Sequence, residues 1–325
     1  MNIDPIVIIG GEPKSVFLEI FLKAIKKLNK ISNPIILISS KYLLKKNMKK
    51  FNKYIKFHEL NKNFSNLSIK KINLIDIKYN NFSFSSKKIT SKSNSYLTES
   101  FKKALQIIKK INCAGLINGP ISKKTFLKGK FNGVTEYLAS KTKSKNPVML
   151  IYNEHLSVSP LTTHVPIKKV ANFIKREKII NSVNKINNFY KFKLGKFPKI
   201  AVLGLNPHCE TNDKISEEEK IIVPAINILK RKRIIIQGPF AADTFFLKEN
   251  FAKYDIVIGM YHDQVLTPIK TLFGFDAINI TAGLPFIRVS PDHGPNEKMV
   301  SKGISNPLSL MKSINFFEKI NDKKT

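Results

Sequence analysis

The chain of 325 residues carries 56 Lys and Arg against 23 Asp and Glu, a formal charge of +33, with 42% hydrophobic and 24% charged residues. The length exceeds one ordinary domain and supports a substantial core, and the composition excludes collagen-like, disulfide-scaffold and wholly disordered classes. No apolar run reaches the roughly 18 residues of a membrane span, the opening Met1-Asn-Ile-Asp-Pro5 lacks the basic stretch of a secretory leader, and two cysteines, Cys113 and Cys209, cannot make a disulfide framework, so a cytoplasmic protein is expected.

In chain order, Pro5–Ile9 reads as a strand entering Gly10-Gly11, and Phe17 to Leu28 has helical spacing at Phe17, Ile20, Phe21, Ala24, Ile25 and Leu28. Pro34–Ser39 is a second strand. From Lys45 to Tyr96 the chain is rich in Lys, Asn and Ser, which predicts an edge of hairpins and loops. Helical period returns over Leu97–Lys110. Beyond it, strands are predicted at Ala114–Ile117, Leu156–Leu161, Ile200–Leu205, Ile234–Gln237, Asp255–Met260 and Ala277–Thr281, with helices near Thr135–Ser140, Ile167–Asn181, Glu217–Lys230 and Asp243–Lys248. Short buried strands alternating with helices indicate an α/β fold with a mainly parallel sheet.

The charge alone permits a nucleic-acid binder. Against that reading, only four arginines (Arg176, Arg231, Arg233, Arg288) accompany 52 lysines, and the lysines are spread along the chain rather than gathered in a patch. No specific nucleic acid and no membrane are therefore expected as partners, whereas small anionic substrates suit the field.

Three predicted strands run into polar turns that carry a histidine: Thr162-Thr-His164-Val-Pro166, Asn206-Pro-His208 and Tyr261-His262-Asp-Gln264, with His208 and His262 placed 44 and 54 residues after the preceding histidine. Ligands of open parallel sheets bind at the carboxyl ends of the strands, and three imidazoles with an open position suit a catalytic divalent ion. The alternative is that each histidine caps its own turn. Arg288, a scarce arginine in a Gly/Pro-containing loop, suits an anionic group. Lys270 and Asn279 stand at the same rim, as do Asn118-Gly-Pro120 and Ser122. Lys123 and Lys124 read as solvated. Asp243 reads equally as a helix N-cap and as a catalytic group. Cys209 reads as a small packed thiol, and His58, His155 and His293 as structural. Neither a G-x-G-x-x-G nor a G-x-x-x-x-G-K-[ST] string is present, so motifs show no nucleotide site.

Thr162-Thr-His-Val-Pro166, Gly204-Leu-Asn-Pro-His208, Gly238-Pro-Phe-Ala-Ala-Asp-Thr244, Met260-Tyr-His-Asp-Gln264 and Asn279-Ile-Thr-Ala-Gly-Leu-Pro-Phe-Ile-Arg288, closed by Asp292-His-Gly294, resemble in order and spacing the 4-hydroxythreonine-4-phosphate dehydrogenase family of pyridoxal phosphate biosynthesis. Gly11-Glu-Pro13 matches its opening motif. The resemblance implies a two-domain α/β/α fold similar to isocitrate and isopropylmalate dehydrogenases, with 1–125 plus 295–325 forming one domain, 126–294 the other and a cleft between them. It implies NAD, with NADP as the alternative, and a divalent metal held by His164, His208 and His262, zinc first and magnesium, cobalt or manganese as alternatives. It further implies substrate contacts from Thr135, Lys270, Asn279 and Arg288, and a homodimer whose two subunits share each site; Lys270 and Asp243 are the expected catalytic residues. The implied reaction oxidises and decarboxylates 4-phosphooxy-L-threonine to 3-amino-2-oxopropyl phosphate. A dehydrogenase of another phosphorylated hydroxy acid, such as a phosphothreonate, is the nearest alternative, and a basic nucleic-acid-binding protein a remote one.

The chain departs from the family pattern at four places. Val134 stands where the family has His before Thr135, and Ser122 where a histidine is common. Asn206-Pro-His-Cys-Glu-Thr-Asn-Asp213 replaces N-P-H-A-G-E-G-G, and the opening loop lacks the family's later glycine.

Overall fold

The computed structural model describes residues 3–28, 31–60, 64, 66–79, 91–122, 126–127, 130–131, 133–211, 216–274, 276–291, 294 and 296–322. The chain divides into two compact units, Met1–Lys143 with Leu284–Thr325, and Ser144–Gly283. Its strands in chain order are β1 (Ile6–Ile9), β2 (Ile35–Ser39), β3 (Phe57–Glu59), β4 (Ile72–Asp76), β5 (Gly115–Asn118), β6 (Val148–Tyr152), β7 (Ser157–Thr162), β8 (Ile200–Leu203), β9 (Ile236–Phe240), β10 (Ile256–Tyr261), β11 (Ile278–Ala282) and β12 (Arg288–Pro291). The helices are α1 (Phe17–Lys27), α2 (Lys41–Phe51), α3 (Ser91–Lys110), α4 (Val134–Lys141), α5 (Val170–Phe173), α6 (Arg176–Leu194), α7 (Val223–Arg231), α8 (Ala242–Phe245), α9 (Lys248–Phe251), α10 (His262–Phe273) and α11 (Leu308–Asp322).

In the first unit the strand order is β3-β4-β2-β1-β5-β12, parallel throughout. β1 is Ile-Val-Ile-Ile with every residue buried, the unbroken apolar run expected of a strand covered on both faces. β3 and β4 form a parallel pair, not the hairpin expected for this stretch; β4 is also parallel to β2, and β3 is the edge strand. The end of the chain is stitched to its beginning by charged groups. The buried Glu19 of α1 pairs with Lys23 and accepts from Ser305 N, while Lys23 Nζ donates to the carbonyls of Gly303 and Ser305. Glu318 of α11 accepts from Ser32 N and Asn33 N at 2.9 Å each.

The sequence-based boundaries give 126–143 and 284–294 to the second domain, whereas these residues fall in the first unit. β12 joins β5 in the sheet, and Tyr137 of α4 stacks edge-on against Phe101 and Phe126. Neither tie shows in a linear pattern. In the second unit the order is β11-β6-β7-β10-β8-β9, with β7, β10, β8 and β9 parallel and β6 antiparallel to both neighbours. The helix expected over Ile167–Asn181 is broken at Ile174 and Lys175, both extended, before α6 begins.

The turn after β1 packs on the turn after β5. Glu12 N donates to Pro120 O and Ser122 N to Glu12 Oε1, and Gly11 has φ +66° with Pro120 O only 2.6 Å from where a Cβ would stand, so only glycine fits. Glu12 is 3% exposed, and its Oε2 has no hydrogen-bond partner among the described residues. Burial pushes its carboxyl from 4.5 up to about 7, against the Ser122 N–H and aided by Glu297. Between these two values the folded chain holds a proton that the unfolded chain has released. Stability should therefore fall as pH rises from about 4.5 to about 7, by about 3 kcal/mol at roughly 1.4 kcal/mol per pH unit. Glu12→Gln should remove that slope in urea melts run across the range; an unchanged slope refutes the assignment.

Candidate active site

β10 lies between β7 and β8, parallel to both, with Tyr261 opposite Thr162 and Ile258 opposite Val202. The three histidine-bearing turns therefore leave the same edge of the second unit's sheet from adjacent strands, where parallel sheets place ligands. His164 and His262 stand together with ring centroids 6.3 Å apart. Both line a cavity of about 290 Å³ with Thr162, Val165, Tyr261 and Asp263.

The segment after β10 is not a loop. His262 opens α10, and Lys270 lies two helical turns beyond Asp263 on the same face. His262 Nδ1 is 2.9 Å from Asp263 Oδ1, and His208 Nδ1 is 3.6 Å from Asp243 Oδ2, a distance for charge attraction but not for a hydrogen bond. Asp243 is not an N-cap, because that position belongs to Ala241; its Oδ1 accepts from Thr244 N. Among the described residues no three of His, Cys, Asp and Glu within this one chain lie close enough to hold an ion.

His208 and the following Cys209 both have left-handed backbone, at φ 55° and 63°. Such conformations cost about 1–3 kcal/mol each in residues with side chains and persist only where surroundings hold them. The thiol of Cys209 is raised by burial, which suits an inert packed group. His58 lies in β3, and His155 stacks on Phe273 at 5.9 Å. Lys123, Lys124, Asp292 and His293 lie outside the described residues.

In the first unit, Arg288 is 3% exposed at the start of β12. Its Nε donates to Asn118 Oδ1 at 2.7 Å and its Nη1 to Thr135 Oγ1 at 3.4 Å. Burial lowers the guanidinium to about 10, opposed by the nearby Glu136, so it stays cationic at neutral pH. Val134 and Thr135 open α4 behind an extended Gly133, so this turn presents Thr135 toward the arginine. In the second unit, Asn279 of β11 keeps its Oδ1 buried with no partner among the described residues, as an acceptor awaiting a ligand donor would be.

Sequence reasoning named the histidines, Thr135, Lys270, Asn279 and Arg288, but missed Asp263 beside His262, Glu136 beside Arg288, and the buried Glu218, whose carboxylate accepts from the Leu205 and Asn206 amides of the His208 turn. Asp263 and Glu136 were legible as carboxylates adjoining named residues; Glu218, ten residues beyond His208, carried no signal. Asn118→Leu, which removes the acceptor of the buried Arg288 Nε–H, should cost about 2–3 kcal/mol in urea unfolding with unchanged m. Asn118→Asp should cost less, and equal losses would argue against the pairing.

A family model described as pyridoxal phosphate biosynthetic protein PdxA matches residues 30–317. The chain is 39% identical over 311 residues to a 4-hydroxythreonine-4-phosphate dehydrogenase of Sulfurihydrogenibium sp., covering 94% of each chain. It is 38% identical over 185 residues to a D-threonate 4-phosphate dehydrogenase of Pectobacterium atrosepticum, covering 57% of each. Among solved structures, the 4-hydroxythreonine-4-phosphate dehydrogenase of Klebsiella pneumoniae superposes with a TM-score of 0.84 at 26% identity, covering 98% of this chain and 99% of that one. A β-decarboxylating dehydrogenase of Thermococcus kodakarensis shares the fold alone, with a TM-score of 0.54 at 10% identity, covering 97% of this chain and 84% of that one. The match over nearly the whole length makes this chain a member of the pyridoxal phosphate biosynthetic protein PdxA family of oxidoreductases.

Proposed function

We propose that the chain oxidises 4-phosphooxy-L-threonine with NAD and that decarboxylation of the resulting β-keto acid yields 3-amino-2-oxopropyl phosphate. The observation that carries this reading is the common edge shared by the His164, His208 and His262 turns on adjacent parallel strands. The donor chemistry fits a divalent ion, zinc first: Asp263 lies within hydrogen-bond distance of His262 Nδ1, which directs Nε2 of that ring to coordination, and Asp243 stands beside His208. Such an ion, when bound, supplies acidification of the substrate hydroxyl and stabilisation of negative charge.

The chain's own residues do the rest. Arg288, fixed by Asn118 and Thr135, is an anion clamp that needs no reorganisation when the substrate arrives. Lys270 adds a second cation, and the buried Asn279 Oδ1 accepts from a substrate N–H or O–H. Asp243, half-exposed beside His208, is placed to exchange a proton with solvent and with the substrate hydroxyl. With His164 and His262 adjacent and no three-donor group among the described residues of one chain, we assign the complete ligand set to a homodimer in which each subunit lends an imidazole to the other's site. The two free cysteines favour a cytoplasmic setting.

The second reading is oxidation of a phosphothreonate, favoured by the D-threonate 4-phosphate dehydrogenase relative and by Val134 in place of the family's histidine. NADH formation by the purified protein decides: turnover with 4-phosphooxy-L-threonine supports the first reading, and turnover with phosphothreonate alone overturns it. Val134→His should lower KM for the first substrate, by up to about tenfold for one regained polar contact.

His164→Ala, His208→Ala and His262→Ala should each lose metal and turnover together while remaining folded. Mixed in pairs with subunit exchange confirmed, two of the three combinations should recover up to about half of parental activity, because two-fold symmetry restores one complete site and empties the other. The combination that stays inactive identifies the two ligands from one chain. Recovery in no pair places all three on one chain and refutes the shared site.

A further inference from the structure

His208 is 75% exposed at its side chain, so packing does not hold the ring where a ligand must stand. Its position has to come from the backbone of Gly204–Asn206, and that backbone is gripped from two sides. Glu218, 2% exposed at the start of the π turn Glu218–Ile222, accepts from Leu205 N at 2.6 Å and Asn206 N at 2.9 Å through Oε1, and from Asn206 Nδ2 at 2.9 Å through Oε2. Burial alone would raise this carboxyl, but the hydrogen bonds outweigh it and hold it below the ordinary range. From the other side, Gln264 Nε2 donates to Gly204 O at 2.8 Å while its Oε1 accepts from Met260 N at 2.7 Å. Gly204 has no room for a side chain here, since a Cβ would stand 2.9 Å from Glu218 Oε1 and 2.7 Å from Cys209 Sγ.

We propose that Glu218 and Gln264 are positioning residues for the His208 turn, fixing its imidazole in the frame of the strand ends that carry His164 and His262. The left-handed backbone at His208 and Cys209 is the reason a grip is needed, because a strained turn released from its partners relaxes. The π turn fits the same purpose, since such turns re-aim one side chain out of helical register and recur at functional sites. Gln264 further connects the His208 turn to α10, two residues beyond His262, so a shift of either is felt by the other.

This proposal rests on the metal-binding reading of His208, and the test separates the two. Glu218→Gln and Gln264→Glu keep shape while each changes the hydrogen bonding and one unit of charge, with the exposed Glu219→Gln as the control for loss of a charge at the same turn. Amide hydrogen exchange over 204–211 should quicken about tenfold or more in the two variants and stay parental elsewhere and in the control. Affinity for zinc or cobalt, measured by titration, should weaken about 10–100-fold. Turnover should return to within about twofold of the parent at saturating metal, a rescue that a general loss of stability would not give. Parental exchange over 204–211, or parental metal affinity, in both variants overturns the proposal. A parent protein that binds neither ion overturns the metal reading instead, and the exchange result then decides the positioning role alone. Should Glu218→Gln fail to fold, Gln264→Glu, which keeps the acceptor for Met260 N, carries the same decision.

Discussion

The Thr162 hydroxyl donates to the carbonyl of Met260 at 2.7 Å, and this bond joins the carboxyl ends of β7 and β10 just before each strand turns into its histidine segment. It is one link of a longer chain. Met260 N reaches Gln264, Gln264 reaches Gly204 O, and the next two amides after Gly204 end on Glu218. Strand ends are where backbone groups lose their ladder partners, and leaving such groups buried and unpaired is costly. Here the side chains that satisfy them also set the distances between turns. The same economy appears in the first unit, where Asn118, at the last position of β5, spends its carbonyl oxygen on Arg288 rather than on the local backbone.

The net charge acquires a narrower meaning in this setting. Lysines dominate the cation count, yet among the described residues the most deeply buried cation is Arg288, 3% exposed against 9% for Lys14, and it is one of only four arginines. A guanidinium is weakly hydrated and presents donors in a fixed fork, so it tolerates burial beside Asn118 and Thr135 where an ammonium would be driven to deprotonate or to reach solvent. Dispersed lysines raise the potential of the whole surface for small anions. Arg288 is instead a single cation fixed in place, with Nε on Asn118 and Nη1 on Thr135.

The parallel strands were legible because β1, β8 and β10 are short and largely apolar, and the three histidine turns because polar residues follow β7, β8 and β10 closely. Much else was not. β12 begins with Arg and ends with Pro, so no periodicity marks it, and its place beside β5 is a contact across 170 residues between Arg288 and Asn118. α10 was hidden because His262-Asp-Gln resembles a polar turn, and only the register of Val265, Leu266 and Ile269 against the sheet reveals a helix. α11 carries a helical pattern at Leu310, Ile314 and Phe317, with no motif beside it to single it out. The roles of Glu218 and Gln264 could not be read, since both act through backbone groups whose identity leaves no trace in sequence.

The departures from the family's strings are instructive when placed on backbone angles. In the string that replaces N-P-H-A-G-E-G-G, the family's first glycine falls at Glu210, whose φ of −130° any residue adopts. Positive φ sits instead at His208 and Cys209, so the missing glycine removes no conformational freedom that this turn uses. In the opening segment, which lacks the family's later glycine, the buried Phe17 ring lies against Gly119, 2.9 Å from where a Cβ would stand, and fills the space between the two turns. Val134 is different in kind. It opens α4 next to Thr135 and beside the Arg288 group, where the change from imidazole to isopropyl alters hydrogen bonding without touching the fold. At the described positions the backbone thus accommodates these departures without a glycine, and the change at Val134 is one of side-chain polarity.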